Sequence, residues 1–281
     1  MRSPGSKTPV PYTGASALLA LACLLLIWGG SGCAPLQREK PAIGPKAANS
    51  TWSEFWARQD RAPPLPAVSL QGSLNIFTPE QKRRVTFELW GNLPTPLRLH
   101  LRAGIGATIS IWEIRDNRIL IFSPRTNEAY TATNTAQATS AMGMRLPFSM
   151  PEMAQLLTGK WRDLLPRKHG GFTATPSGYA FSLQGEQRIE RVVLDQRARV
   201  VAISGNRPYG WSMKRKAMTA RDGRILSRRI ELTTRRGEEL ILRVKDFEQR
   251  SSPWPEAAMR LTLPQDTEIR TLHPVDLDGT S

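Results

Sequence analysis

From Val68 onward, apolar residues recur at every second position. Val85, Phe87 and Leu89 alternate with Arg84, Thr86 and Glu88; Leu97, Leu99 and Leu101 alternate with Arg98, His100 and Arg102; Ile109 and Ile111 alternate with Thr108 and Ser110. Tyr179, Phe181 and Leu183, then Leu240, Leu242 and Val244, and finally Leu261 and Leu263 repeat the pattern. Side chains of a strand alternate between its faces, so each set predicts an antiparallel strand with one apolar and one polar or basic face. Turn signals separate them: Thr78-Pro79-Glu80, Gly91-Asn92, Asp116-Asn117, Pro124 to Asn127, Ser177-Gly178, Asp222-Gly223 and Arg236-Gly237. About ten to twelve strands are expected, forming one large curved sheet or barrel.

Helical periodicity is rarer. Over residues 150–165, Met153, Leu156, Leu157, Trp161 and Leu164 form a stripe, with Ser149 as cap and Pro151 in the first turn. A short helix near Trp52, Phe55 and Trp56, capped by Ser50 or Thr51, is ended by Pro63-Pro64 and Pro66. One helical stripe cannot fill the concave side of so many strands. Either the sheet closes on its own side chains, or an apolar space remains for a ligand, lined or covered by the helix. The alternation nominates Phe87, Leu89, Leu99, Leu101, Ile109 and Ile111 as its wall, with Phe122, Leu146, Phe148 and the helix residues Met153, Leu156, Leu157 and Trp161. Acyl chains suit such a wall, because apolar burial is non-directional and scales with area.

The N-terminus reads as an address. Arg2 and Lys7 precede the apolar run from Ala15 to Trp28, which Gly29-Gly30-Ser31-Gly32-Cys33 ends abruptly. That is an export signal, too short for a comfortable membrane span. Small residues before Cys33 resemble a bacterial lipobox, although Gly30 stands where that motif usually carries an aliphatic residue. Cys33 would then be the acylated first residue of the mature chain. Cys23, after Ala20-Leu21-Ala22, is the competing site. Ala34 after the cysteine points to the outer membrane, with the protein lipid-anchored and facing the periplasm. Residues 34–48, with Pro35, Pro41 and Pro45, read as a flexible tether. The expected division is therefore a signal over 1–32, a tether with a short aromatic helix over 33–67, and one domain over 68–281.

Composition narrows the chemistry. The 281 residues hold 39 Lys and Arg against 24 Asp and Glu, a formal charge of +15, which becomes +13 once Arg2 and Lys7 leave with the signal. Such an excess favours an anionic membrane surface or acidic partners, and export argues against nucleic acid. Cys23 and Cys33 are the two cysteines, so a lipidated mature chain has no thiol for catalysis. His100, His169 and His273 show no ligand spacing, and no metal or cofactor is expected. No nucleophile elbow, zinc-protease helix, phosphate loop or dinucleotide fingerprint occurs. Glu186, Glu190, Asp195, Glu238 and Glu239 sit among arginines in strand-like segments and read as solvated charged faces. The chain is expected to be a monomeric non-enzyme.

The stretch from Gly72 to Gly159 resembles the LolB family of outer-membrane lipoprotein receptors. The resemblance is carried by Gly72-Ser73-Leu74, by Val85 to Trp90, by Leu97 to Leu101, by Ala103-Gly104-Ile105-Gly106-Ala107, and by Gly143 to Phe148 leading into the 150–165 helix. It implies a half-barrel antiparallel sheet with a helical lid around an apolar cavity. The family accepts acylated lipoproteins from the periplasmic carrier LolA and inserts them in the outer membrane without making or breaking a bond. The family's membrane-delivery loop aligns with Gly104, Ile105 and Gly106, Ile105 replacing a leucine and Gly104 a proline. Read from its residues alone, Ile105 either dips into a bilayer from a flexible turn or folds back onto the core. Two other readings fit the sequence. One is a lipid or glycolipid carrier of the same fold. The other is an envelope-assembly lipoprotein binding an acidic partner through Lys214, Arg215, Lys216, Arg228 and Arg229.

Overall fold

The structure is a computed structural model that describes residues 44–272 apart from 105, 117, 142–145, 186–187, 208 and 220–224. Cys23, Cys33 and Ile105 therefore lie outside the described residues, as do the Asp222-Gly223 turn and Gly143 to Arg145.

The alternating segments form β1 (Ala67–Phe77), β2 (Lys82–Asn92), β3 (Leu97–Ala103), β4 (Ala107–Arg115), β5 (Arg118–Ser123) and β6 (Glu128–Ala132) as one meander. A second meander is built from β7 (Gly171–Thr175), β8 (Gly178–Ser182), β9 (Arg191–Asp195), β10 (Val200–Gly205), β11 (Trp211–Thr219), β12 (Ile225–Thr234) and β13 (Glu239–Arg250). Antiparallel pairing of β1 with β13 joins the two into a single open, curved sheet. A fourteenth strand, β14 (Glu268–Thr271), pairs in parallel with β6 at one edge. The expectation of a mainly β, antiparallel half-barrel with few helices holds, with this one parallel exception. Leu261 and Leu263 are not in a strand; the last strand begins five residues later.

Register assigns the faces. Directly opposite residues share a face, so Leu74, Leu242 and Ile230 form one row, and Leu89, Leu99, Trp112 and Ile121 another. These rows are buried and make the inner face. At Gly72, where β1 bulges, the Phe87 ring lies so close that an added Cβ would sit 2.6 Å from it and 2.1 Å from the Arg243 carbonyl oxygen.

Three helices cover the inner face. α1 (Pro45–Arg61) buries Ala48, Trp52, Phe55 and Trp56 on one stripe. It starts earlier than Ser50 or Thr51, because Pro45, placed by the sequence in the tether, takes the first-turn position its fixed φ suits. Thr51 instead donates to the Ala47 carbonyl. Trp52 packs on Phe181 of β8 at 4.9 Å and donates its indole N–H to the Arg167 carbonyl at 2.7 Å, so the aromatic helix is part of the sheet's core. α2 (Thr135–Ala141) and α3 (Met150–Thr158) lie in the segment that crosses from the β6 edge to the β7 edge. Ser149 caps α3 in a reciprocal box with Glu152: the Glu152 amide donates to Ser149 Oγ, and the Ser149 amide donates to the Glu152 carboxylate. The helix stops at Thr158, short of the expected 165, because Gly159 turns left-handed at φ +73°. A side chain at Gly159 would also strike the Ile225 carbonyl, 2.0 Å from its Cβ. Among the described residues no helix is long and apolar enough to cross a membrane.

The chain after β13 runs over the outer face as a strap. Asn92 Nδ2 donates to the Trp254 carbonyl, and the Trp254 amide donates back to Asn92 Oδ1. The short α4 (Glu256–Met259) follows, with Glu256 paired to Arg115 at 2.8 Å. The Leu261 amide then donates to Glu113 at 2.5 Å. Burial alone would raise the Glu113 carboxyl, but the Arg115 hydrogen bond, the Leu261 amide and the charges of Arg115 and Arg118 hold it below the ordinary range. Nearby, His100 meets Trp90 edge-on at 4.6 Å. Desolvation, reinforced by Arg98 and Arg102, lowers it from 6.5 to about 4.

Three outcomes test these arguments. Ser149→Ala should cost about 1 kcal/mol in urea unfolding, the usual worth of a helix cap. Gly72→Val should cost about 2 kcal/mol or more by overpacking against backbone, and a neutral result there would show that the β1–β2 register is wrong. Because the folded state keeps His100 neutral, unfolding takes up a proton between pH 6.5 and about 4. Stability should therefore fall as pH drops through that window. His100→Asn should remove that part of the slope in denaturation series at pH 7 and pH 5.

Candidate functional site

Most of the expected cavity wall comes together. Phe87, Leu89, Leu99 and Leu101 lie side by side on the inner face, and Leu146, Phe148, Met153, Leu156, Leu157 and Trp161 are buried over the same core. Phe148 meets Trp211 of β11 edge-on at 5.0 Å. A polar tie holds the crossing segment to the sheet: Ser227 of β12 donates to the Leu156 carbonyl at 2.7 Å. An apolar layer between sheet and helices is the arrangement in which acyl chains could replace side-chain contacts at little directional cost.

Two wall assignments are corrected by register. Ile111 stands opposite His100 and Phe122, and Phe122 opposite Ala129, so Ile111 and Phe122 face the outer side; Trp112 and Ile121 take their places within. Phe122 is nonetheless buried, on the face that the strap crosses. Ile109 is the extra residue of a bulge between Leu101 and Arg102, half-buried against the edge of the core. Both faces of β4 carry large apolar residues, Ile111 on one and Trp112 and Ile114 on the other, and the alternation alone could not choose between them.

The Gly104–Gly106 turn is a hairpin tip, closed by the pair Ala103 and Ala107. Gly104 (φ +49°) and Gly106 (φ +94°) are exposed, with open space where side chains would stand, so backbone conformation and not crowding calls for glycine. About seven residues of β3 separate this tip from the Leu93–Pro96 turn, roughly 20 Å at 3.3 Å per residue.

At that opposite end lies a cavity of about 650 Å³ that the sequence did not disclose. It opens between the end of α1, the Pro63–Pro66 turn, the loop after α3, and strands β10 to β12. Arg215, expected on a basic outer surface with Lys214 and Lys216, stands opposite Ile230 and so points inward, only 7% exposed. It donates to Ser227 Oγ at 2.5 Å and to the carbonyls of Val200 (3.0 Å) and Ile225 (2.9 Å), with Trp161 beneath its guanidinium at 5.6 Å. Desolvation lowers it to about 10, still charged at neutral pH. The available signal was the alternation of Met213, Arg215 and Ala217 against Ser212, Lys214 and Lys216. The Asp60 carboxylate, at the rim, accepts two hydrogen bonds from the Arg167 guanidinium (2.6 and 3.0 Å) and one from Arg162 (2.6 Å). The Arg167 hydrogen bond, opposed by desolvation and reinforced by Arg162, lowers its carboxyl to about 2. Among the described residues no three His, Cys, Asp or Glu side chains gather as metal ligands.

No protein-family model matches the chain, and no curated protein matches its sequence. Solved structures do. A Vibrio parahaemolyticus domain named for outer-membrane lipoprotein sorting superposes with TM-score 0.51 at 10% identity, over 75% of this chain and 97% of its own. A DUF1329 family protein from Desulfovibrio piger gives 0.50 at 8%, over 76% and 99%. A LolA superfamily protein from Nitrosomonas europaea gives 0.49 at 10%, over 73% and 94%. At such identities the likeness speaks for the fold alone: the chain shares the fold of the Vibrio parahaemolyticus and Desulfovibrio piger structures, and nothing in these matches singles out the LolB branch.

Proposed function

We propose that this chain is an outer-membrane lipoprotein, anchored through Cys33, that accepts acylated lipoproteins from a LolA-like periplasmic carrier and passes them to the membrane. The observation that supports this most is the continuous apolar inner face of a LolA/LolB-like sheet, roofed by helices whose contact with it is largely side-chain packing. Acyl chains would enter between Phe87, Leu89, Leu99 and Leu101 below and Met153, Leu156 and Leu157 above. The step is a partition between apolar environments and involves no covalent chemistry. Its direction requires the layer to hold acyl chains at least as well as the donor and less well than the bilayer. The hairpin tip at Gly104–Gly106 would place Ile105 in the membrane interface.

The test mixes the purified chain with a complex of periplasmic carrier and acylated lipoprotein, and separates the products. The acylated client should move to this chain and a non-acylated client should not. Ile105→Glu should leave acceptance intact and reduce delivery into vesicles by at least tenfold. Absence of transfer, with lipid found bound to the chain, would replace this reading by that of a lipid carrier.

A further inference from the structure

The cavity beside Arg215 has a composition that the acyl-transfer reading does not use. Its lining holds six cationic side chains, Arg58, Arg61, Lys160, Arg162, Arg199 and Arg215, and one carboxylate, Asp60. That carboxylate is already occupied by Arg162 and Arg167. Arg58 and Arg199 pair with Glu54 and Asp195; among the described residues Arg61 donates to the Ala57 carbonyl of its own helix and Lys160 reaches Asp163 at 3.5 Å. Arg215 is the most telling. A guanidinium has five N–H donors; three of them meet neutral acceptors, and no described carboxylate lies within ion-pair distance. Asp195 compensates the Arg215 charge only from beyond ion-pair distance and against the repulsion of Arg199; burying a cation so weakly paired is costly, and a bound anion would relieve that cost. The remaining wall is apolar, with Phe55, Leu65, Leu93, Trp161, Val200 and Ile225. The volume lies within the roughly 300–1,000 Å³ of small-molecule sites.

We propose that this cavity binds a phosphate-bearing amphiphile, its phosphate facing Arg215, Arg61 and Lys160 and its short apolar part resting on Trp161 and Leu93. Fixed cations on an apolar floor discriminate such a molecule both from neutral lipids and from simple anions. The site adjoins the apolar layer between sheet and helices and shares Phe55 and Trp161 with it, but its cationic residues take no part in the proposed lipoprotein transfer, so the two readings are tested separately.

The test is titration calorimetry of the full chain, in a non-ionic detergent, with dibutanoyl phosphatidic acid, with dibutanoyl glycerol and with inorganic phosphate. Phosphatidic acid should bind saturably, at least tenfold more tightly than either of the others. The double variant Arg61→Glu, Lys160→Glu should weaken it at least tenfold, and raising salt from 0.05 to 0.5 M should weaken it too. Both residues are at the cavity rim, and unchanged thermal unfolding of the variant serves as the folding control. The milder Arg61→Gln, Lys160→Gln pair should fall between the two. Phosphate binding as tightly as phosphatidic acid would overturn the lipid assignment in favour of a free-anion site. Equal binding of dibutanoyl glycerol, or binding indifferent to the charge reversal, would overturn the proposal entirely.

Discussion

A fourteen-stranded open sheet has an apolar inner face that its own strands cannot cover, and the rest of the molecule is organised around that demand. Among the described residues the cover comes from two stretches: the residues before β1, which form α1, and the segment that must travel from the β6 edge to the β7 edge, which carries α2 and α3. Because the crossing segment joins opposite edges, its path lies over the sheet. The capping box at Ser149 and the left-handed stop at Gly159 define how much of that path is helix. The stripe of Trp52, Phe55 and Trp56 completes the layer at the β8 side through Phe181 and His169.

The outer face is met by a different device. Between β13 and β14 the chain crosses it with backbone hydrogen bonds to Asn92 and Glu113 and an ion pair to Arg115. Buried polar groups on that side, Glu113 and Arg98, the latter over the Trp90 ring, follow from this crossing, since without it they would face water. The two coverings differ in chemistry. The inner one is mostly apolar and non-directional, suited to exchanging one hydrocarbon contact for another, whereas the outer one is pinned by charge-assisted hydrogen bonds.

Much of this was legible in the chain itself. Leu97, Leu99 and Leu101 declared their strand and its face because their neighbours are Arg98, His100 and Arg102. The β4 and β5 faces were not legible. Ile109, Ile111, Trp112 and Ile114 are apolar on both sides, and so are Ile119 to Phe122, because the strap covers the outer side of those strands. No local pattern announces a covering segment more than a hundred residues away. The bulge at Ile109 further shifted the phase. Arg215 was hidden by its company: in a Lys-Arg-Lys run the charge suggests a surface, and only the strand period shows that the middle residue turns inward. The end of α3 was missed because Trp161 and Leu164 keep a helical spacing after the helix has stopped.

The seam between β1 and β13 also sets the order in which the chain can fold. Every other antiparallel pairing joins strands adjacent in sequence, but Ala67 and Arg250 are partners 183 positions apart. The entropy of closing so long a loop places this pairing after the two meanders have formed by local contacts. The middle of the finished sheet is thus its last part to assemble. Until β13 has left the ribosome, β1 is an open edge with Leu70 and Leu74 beside it, a surface on which one chain could join another.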